Sequence, residues 1–110
     1  MKLQELLAKT GWKLVTKLDD KEITGVVISD MLSDVMTNAK PGELWLTVQT
    51  HKNTISAANL VDISAIVVTH GKEIPADTVA LANRFRVNII SCELATFELV
   101  RKLVGLGIGA

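Results

Sequence analysis

Apolar positions along the chain change their spacing several times, and each change marks an element. Leu3, Leu6 and Leu7 recur at the spacing of one helical face, which predicts a short helix over residues 2–9 that Gly11 ends. From Trp12 to Lys17 the period shortens to two, with Trp12, Leu14 and Thr16 on one side and Lys13, Val15 and Lys17 on the other, which predicts a strand. Leu18-Asp19-Asp20-Lys21 reads as a turn. Glu22 to Ile28 reads as a second strand, bent at Gly25 because a glycine inside a strand weakens it and often marks a bulge.

Beyond that point one unit repeats. Val26-Val27-Ile28 precedes a helix near 31–39, Leu44 to Val48 one near 54–63, Ala65 to Val68 one near 76–86, and Val87 to Ile90 one near 93–104. Strands that alternate with helices of about ten residues need crossover connections, and so a parallel sheet flanked by helices. Ala65-Ile66-Val67-Val68 is apolar at every position, as a strand covered on both faces is. The expected class is therefore α/β, with a mostly parallel sheet of four to six strands flanked by helices. A single domain is expected over residues 1–110, with 105–110 as a frayed tail.

Breakers and caps fit this scheme. Pro41-Gly42 closes one helix, and Pro75 suits the first turn of another because its missing N–H would be unpaired there. Ser91 and Asn53 suit the N-cap position. The closing run from Gly105 to Gly109 follows a helix and not a strand, so it reads as a helix stop, not a phosphate loop.

Composition narrows the function. At 48% hydrophobic and 22% charged, 110 residues can build a conventional core without a disulfide or structural metal. Twelve basic residues balance twelve acidic ones and are scattered, which argues against nucleic acid and anionic lipid as partners. No apolar run approaches the roughly twenty residues of a membrane span, so no membrane partner is expected. The N-terminus lacks the apolar stretch of a secretory signal, and Cys92 stands alone, which points to a reducing, cytoplasmic location.

Candidate chemistry follows the strands. Ser29 and Asp30 come after Ile28, Gln49 to Asn53 after Val48, Thr69-His70-Gly71 after Val68, and Ser91-Cys92-Glu93 after Ile90. In an open parallel sheet these ends share one edge, where ligands bind beside helix N-termini. The candidate ligand-binding residues are Asp30, Ser33, Gln49, Thr50, His51, Asn53, His70 and Gly71. Each has a plainer role beside this one: Asp30 suits the cap of the helix from Met31, His51 a solvated loop, His70-Gly71 a turn.

Asp30, His51, His70 and Cys92 are zinc-donor types, but their spacing does not demand a metal, and neither metal nor cofactor is expected. Cys92 reads as a partly buried, inert thiol. Neither a G-x-S-x-G elbow nor a Walker loop is present, so no catalytic residue is assigned and the chain reads as a non-enzyme. Trp12, Trp45, Phe85 and Phe97 are expected in the core or at a dimer contact.

Three stretches resemble stand-alone DRTGG-domain proteins: Glu22-Ile23-Thr24-Gly25-Val26, then S-D-M-L-S-D-V-M from Ser29 to Met36, and L-W-L-T-V-Q-T-H from Leu44 to His51. The similarity runs almost end to end. The naming motif is degraded, keeping Thr24 and Gly25 but lacking the Asp-Arg start and the second glycine, so no role of that arginine transfers. The resemblance implies a fold like the HPr kinase N-terminal domain, and like the accessory domain of phosphotransacetylases and CBS-type pyrophosphatases. There it is a non-catalytic, regulatory module, often at a dimer interface. Stand-alone relatives accompany iron-hydrogenase genes. An iron–sulfur cluster takes about four cysteine ligands, and Cys92 alone cannot supply them.

The leading reading is a homodimeric, non-catalytic regulatory module that binds a small polar ligand, a nucleotide or phosphorylated metabolite, at the carboxyl edge of the sheet. A second is a protein-interaction or accessory factor for a redox or hydrogenase system. A third is a small metal-dependent or acid/base enzyme using Asp30, His51 and His70.

Overall fold

The alternating pattern becomes a five-stranded sheet in the computed structural model, which describes residues 1–109. Its elements are α1 (Leu3–Thr10), β1 (Lys13–Leu14), β2 (Gly25–Ile28), α2 (Leu32–Asn38), β3 (Glu43–Thr47), α3 (Asn53–Val61), β4 (Ala65–Val68), α4 (Ala76–Phe85), β5 (Ile89–Ser91) and α5 (Thr96–Gly105). The strand order is β1-β5-β4-β3-β2. β2 to β5 run parallel, and β1 joins the β5 edge antiparallel. The expected α/β class with a mostly parallel sheet is what forms.

The all-apolar strands follow from burial on two sides. Leu44 and Leu46 of β3, Ala65 and Val67 of β4 and Ile90 of β5 pack with Leu3 and Leu6 of α1 and Leu99 and Leu103 of α5. Their neighbours Trp45, Ile66, Val68 and Ile89 pack with Val35 of α2, Ile55 and Ala58 of α3 and Ala82 of α4. Adjacent strand residues point to opposite faces, so a two-sided core needs apolar side chains at every position. Each fully buried Leu or Ile contributes about 1.5–3 kcal/mol relative to exposure. Among the described residues, no helix is long and apolar enough to cross a membrane.

Several local expectations change. The strand expected from Trp12 to Lys17 keeps only two ladder residues: Val15 N still donates to Ile89 O at 2.9 Å, but Ile89 N donates to the Thr16 hydroxyl at 3.2 Å in place of a backbone carbonyl. Gly25 opens β2 and does not bulge it: the ladder from Gly25↔Glu43 to Ile28↔Leu46 is continuous. Glu22 instead bridges Lys2. Among the described residues no α-helix carries a side-chain N-cap hydrogen bond; Asn53 is the first residue of α3, and Ser91 lies within β5, well before α5.

Residues 105–109 are not frayed. Ile108 N donates to Leu103 O at 3.0 Å, and the Ile108 side chain enters the core with Leu99 and Leu103, since an apolar residue placed past a helix stop gains by folding back. Ala110 lies outside the described residues. Among the aromatics, Trp45 is fully buried and donates its indole N–H to Ser29 O at 2.7 Å, whereas Phe97 is 72% exposed.

Candidate functional site

Four parallel strands bring their carboxyl ends to one edge, as the alternation of strand and helix requires. That edge has two halves with different chemistry.

At the end of β2 and β3 the polar side chains bond to one another. Asp30 Oδ1 accepts from Thr47 Oγ1 at 2.8 Å and from Val48 N at 3.1 Å. Gln49 N donates to Thr47 Oγ1 at 3.1 Å, and Gln49 Nε2 to Asp30 O at 3.3 Å. Asp30 therefore ties the loop after β2 to β3 and does not cap α2; the Ser29 hydroxyl accepts from Met31 N at 3.1 Å. Farther along, Thr50 O accepts from Thr78 Oγ1 at 2.9 Å, and His51 O from Thr54 Oγ1 at 2.7 Å. The side chains of Ser33, His51 and Asn53 are exposed. Asp34, in the first turn of α2, has its carboxyl held below the usual carboxylate range by the Ser29 hydroxyl and then by the Asn38 amide.

At the end of β4 and β5 the backbone does the bonding. His70 and Gly71 both take left-handed conformations, φ 63° and 61°, so the turn expected of this pair is present. Their amides donate to Leu94 O and Cys92 O, each at 2.9 Å, and fasten the loop after β5 to the loop after β4. The His70 ring lies 2.8 Å, Nδ1 to Oγ1, from Thr69. Cys92 is buried, and burial above all pushes its thiol up; nearby Glu93 adds to this, while the Leu94 amide and Lys102 oppose it. A protonated, buried thiol is a poor nucleophile and metal ligand.

The structure thus joins Asp30 to Gln49 and places His70 and Gly71 beside Cys92, while His51, Ser33 and Asn53 remain separate exposed groups. Among the described residues no three His, Cys, Asp or Glu side chains are grouped to hold a metal ion, so the four zinc-donor types are not assembled.

A cleft of about 420 Å³ opens past β5, lined among others by Trp12, Lys13, Ser91, Cys92, Glu93 and Lys102. None of the eight candidate ligand residues lines it. It exists because β1 is antiparallel: the ladder pairs Lys13 with Ser91, so the first residue of β1 meets the last of β5 at the carboxyl edge. Trp12-Lys13 directly after Gly11 was the available signal, but a local pattern does not reveal which strand end it will join.

Comparison with known proteins follows the same lines. Residues 8–106 match the family described as DRTGG domain. No curated protein matches the chain in sequence. Among solved structures, the chain is similar to the CBS and DRTGG domains of the regulatory region of Clostridium perfringens pyrophosphatase, complexed with the activator diadenosine tetraphosphate. The TM-score is 0.71 at 14% identity, over 90% of this chain and 44% of that one. The chain therefore spans less than half of that structure's chain, and the likeness is one of fold.

Proposed function

Because this chain belongs to the DRTGG domain family, we propose that it is a non-catalytic regulatory module that senses a small polar ligand at the carboxyl edge of its sheet. The observation that carries this reading is the convergence of four parallel strand ends on one edge, with polar residues in every loop that follows. The edge carries the candidate residues Asp30, Ser33, Gln49, Thr50, His51, Asn53, His70 and Gly71. Nucleotides and phosphorylated metabolites are the ligand class to screen, since the similar structure is a regulatory region held with a nucleotide activator. A lone Cys92 suits a reducing, cytoplasmic setting for such a module.

Thermal-shift measurements on the whole chain test the reading. A nucleotide or phosphorylated metabolite at a hundredfold excess over its Kd stabilises the folded state by about 2.7 kcal/mol, a readily measured rise in Tm. A screen in which every such compound leaves Tm unchanged would sink the proposal.

One observation favours a second reading, association through an edge. β2 ends the sheet, and beside it Ile28 is 53% and Met31 65% exposed. A free strand with flanking apolar side chains is a template for pairing with another chain. This supports a homodimer, or docking of a redox or hydrogenase partner. Sedimentation equilibrium of the wild type and of Ile28→Lys tests it; a monomer at all concentrations and no partner recovered by pull-down would count against it. The acid/base-enzyme reading gains no support, because Asp30 Oδ1 is already engaged by Thr47 and Val48.

A further inference from the structure

The cleft beside β5 sets an indole side chain beside two lysines and one glutamate. Trp12 is half-buried: it packs against the cluster that includes Leu3, Leu6 and Leu99, and it also lines the cleft. Lys13 on β1 and Lys102 on α5 line the same cleft. Among the described residues neither lysine has a carboxylate within salt-bridge distance. A neighbouring groove of about 320 Å³, lined by Leu94, Glu98, Arg101 and Lys102, shares Leu94 and Lys102 with it and extends the cationic wall along α5. Lys13, Arg101 and Lys102 face Glu93 and Glu98, three cations to two carboxylates, in a chain whose formal net charge is zero.

We infer that this cleft binds a planar aromatic anion of the nucleoside phosphate class, its ring against the Trp12 indole and its phosphate between Lys13 and Lys102. The inference rests on the ligand-sensing reading above, and adds the place on the edge and the chemistry of the ligand. At about 420 Å³ the cleft falls in the range of roughly 300–1,000 Å³ usual for small-ligand sites. An indole wall favours a flat ring, and two ammonium groups favour a dianion, so a ligand carrying both gains from each. His70 and Gly71 act as positioning residues: through Leu94 O and Cys92 O they hold the loop that forms one side of the cleft.

The two tryptophans make the test direct. Trp45 is fully buried and supplies a constant background, so a change in emission reports on Trp12. The whole chain is titrated with ATP and AMP, and with adenosine and inorganic phosphate as partial probes. ATP or AMP quenches Trp12 saturably, more tightly than adenosine or phosphate alone, and affinity falls as salt rises. Lys13→Gln and Lys102→Gln each weaken binding about tenfold, while the control Lys40→Gln, exposed in the segment before β3 at the opposite edge of the sheet, changes it by less than about twofold. All three lysines are exposed, so an unchanged urea midpoint verifies that these variants fold. If ATP binds equally well to Lys13→Gln and Lys102→Gln, or loses affinity only in Gln49→Ala/His51→Ala, the cleft assignment is wrong and ligand sensing stands. If none of the four probes binds, the cleft assignment is wrong, and ligand sensing falls with it only when the wider Tm screen is also empty.

Discussion

Thr47 donates its hydroxyl proton to Asp30 Oδ1 at 2.8 Å, a side-chain bond that, with Val48 N and Gln49 Nε2, ties the end of β3 to the loop that leaves β2. Thr47 is buried, and its oxygen also accepts from Gln49 N. Thr47→Val keeps the shape and removes both bonds, so it is expected to cost about 1–3 kcal/mol in urea denaturation. Asp30→Asn retains the acceptor oxygen and is expected to cost less. Equal stability of Thr47→Val and wild type would show that the bond contributes nothing.

Gly42 is held in a left-handed conformation, φ 84°, directly against Thr24. A Cβ there would lie 2.6 Å from Thr24 Cγ2 and 2.8 Å from its Oγ1, while Thr24 N donates to Gly42 O at 2.9 Å. Gly42→Ala is therefore expected to lose about 2 kcal/mol or more, with Thr24→Ala in the same chain recovering the steric part and leaving about 1 kcal/mol of backbone strain. Full additivity of the two substitutions in chemical denaturation would contradict this contact. Thr24 and Gly25, the residues kept from the DRTGG motif, thus serve packing here: a Cβ on Gly25 would lie 3.3 Å from Glu43 Oε2.

Cys92 sets an alkaline limit. Its folded thiol titrates above the usual value of 9.0 because burial disfavours the thiolate. The stability tied to it is full below the unfolded pKa and is lost as pH rises from there through the higher folded value. Cys92→Ala should flatten that part of the stability profile; an unchanged alkaline slope would refute the assignment. Asp34 acts at the opposite end: its lowered carboxyl pKa contributes stability above the usual 3.8 that is lost as pH falls through the folded value, a loss Asp34→Asn should remove.

Ile108 anchors the end of the chain. Its side chain lies in the core with Leu99, Leu103 and Ile23, so Ile108→Ala is expected to lower stability by about 2–4 kcal/mol. A cost below about 0.5 kcal/mol, the range of surface substitutions, would mean that the segment is not docked in solution.

Pattern alone determined the layered α/β fold, because period and burial are local properties: Ala65 to Val68 must be covered on both sides, and polar residues must follow each parallel strand at the same edge. Gly11 at φ 71° and the His70-Gly71 turn were legible for the same reason, since each is a statement about its own backbone. What only the tertiary structure decided was partnership. Asp30 chose Thr47 over the N-terminus of α2, Ile108 returned to the core, and antiparallel β1 carried Trp12 and Lys13 to Ser91, 78 positions along from Lys13 in the ladder that pairs them. Hydrogen bonds and apolar contacts between residues far apart in the chain depend on where every intervening element packs, and a single local pattern carries no record of that.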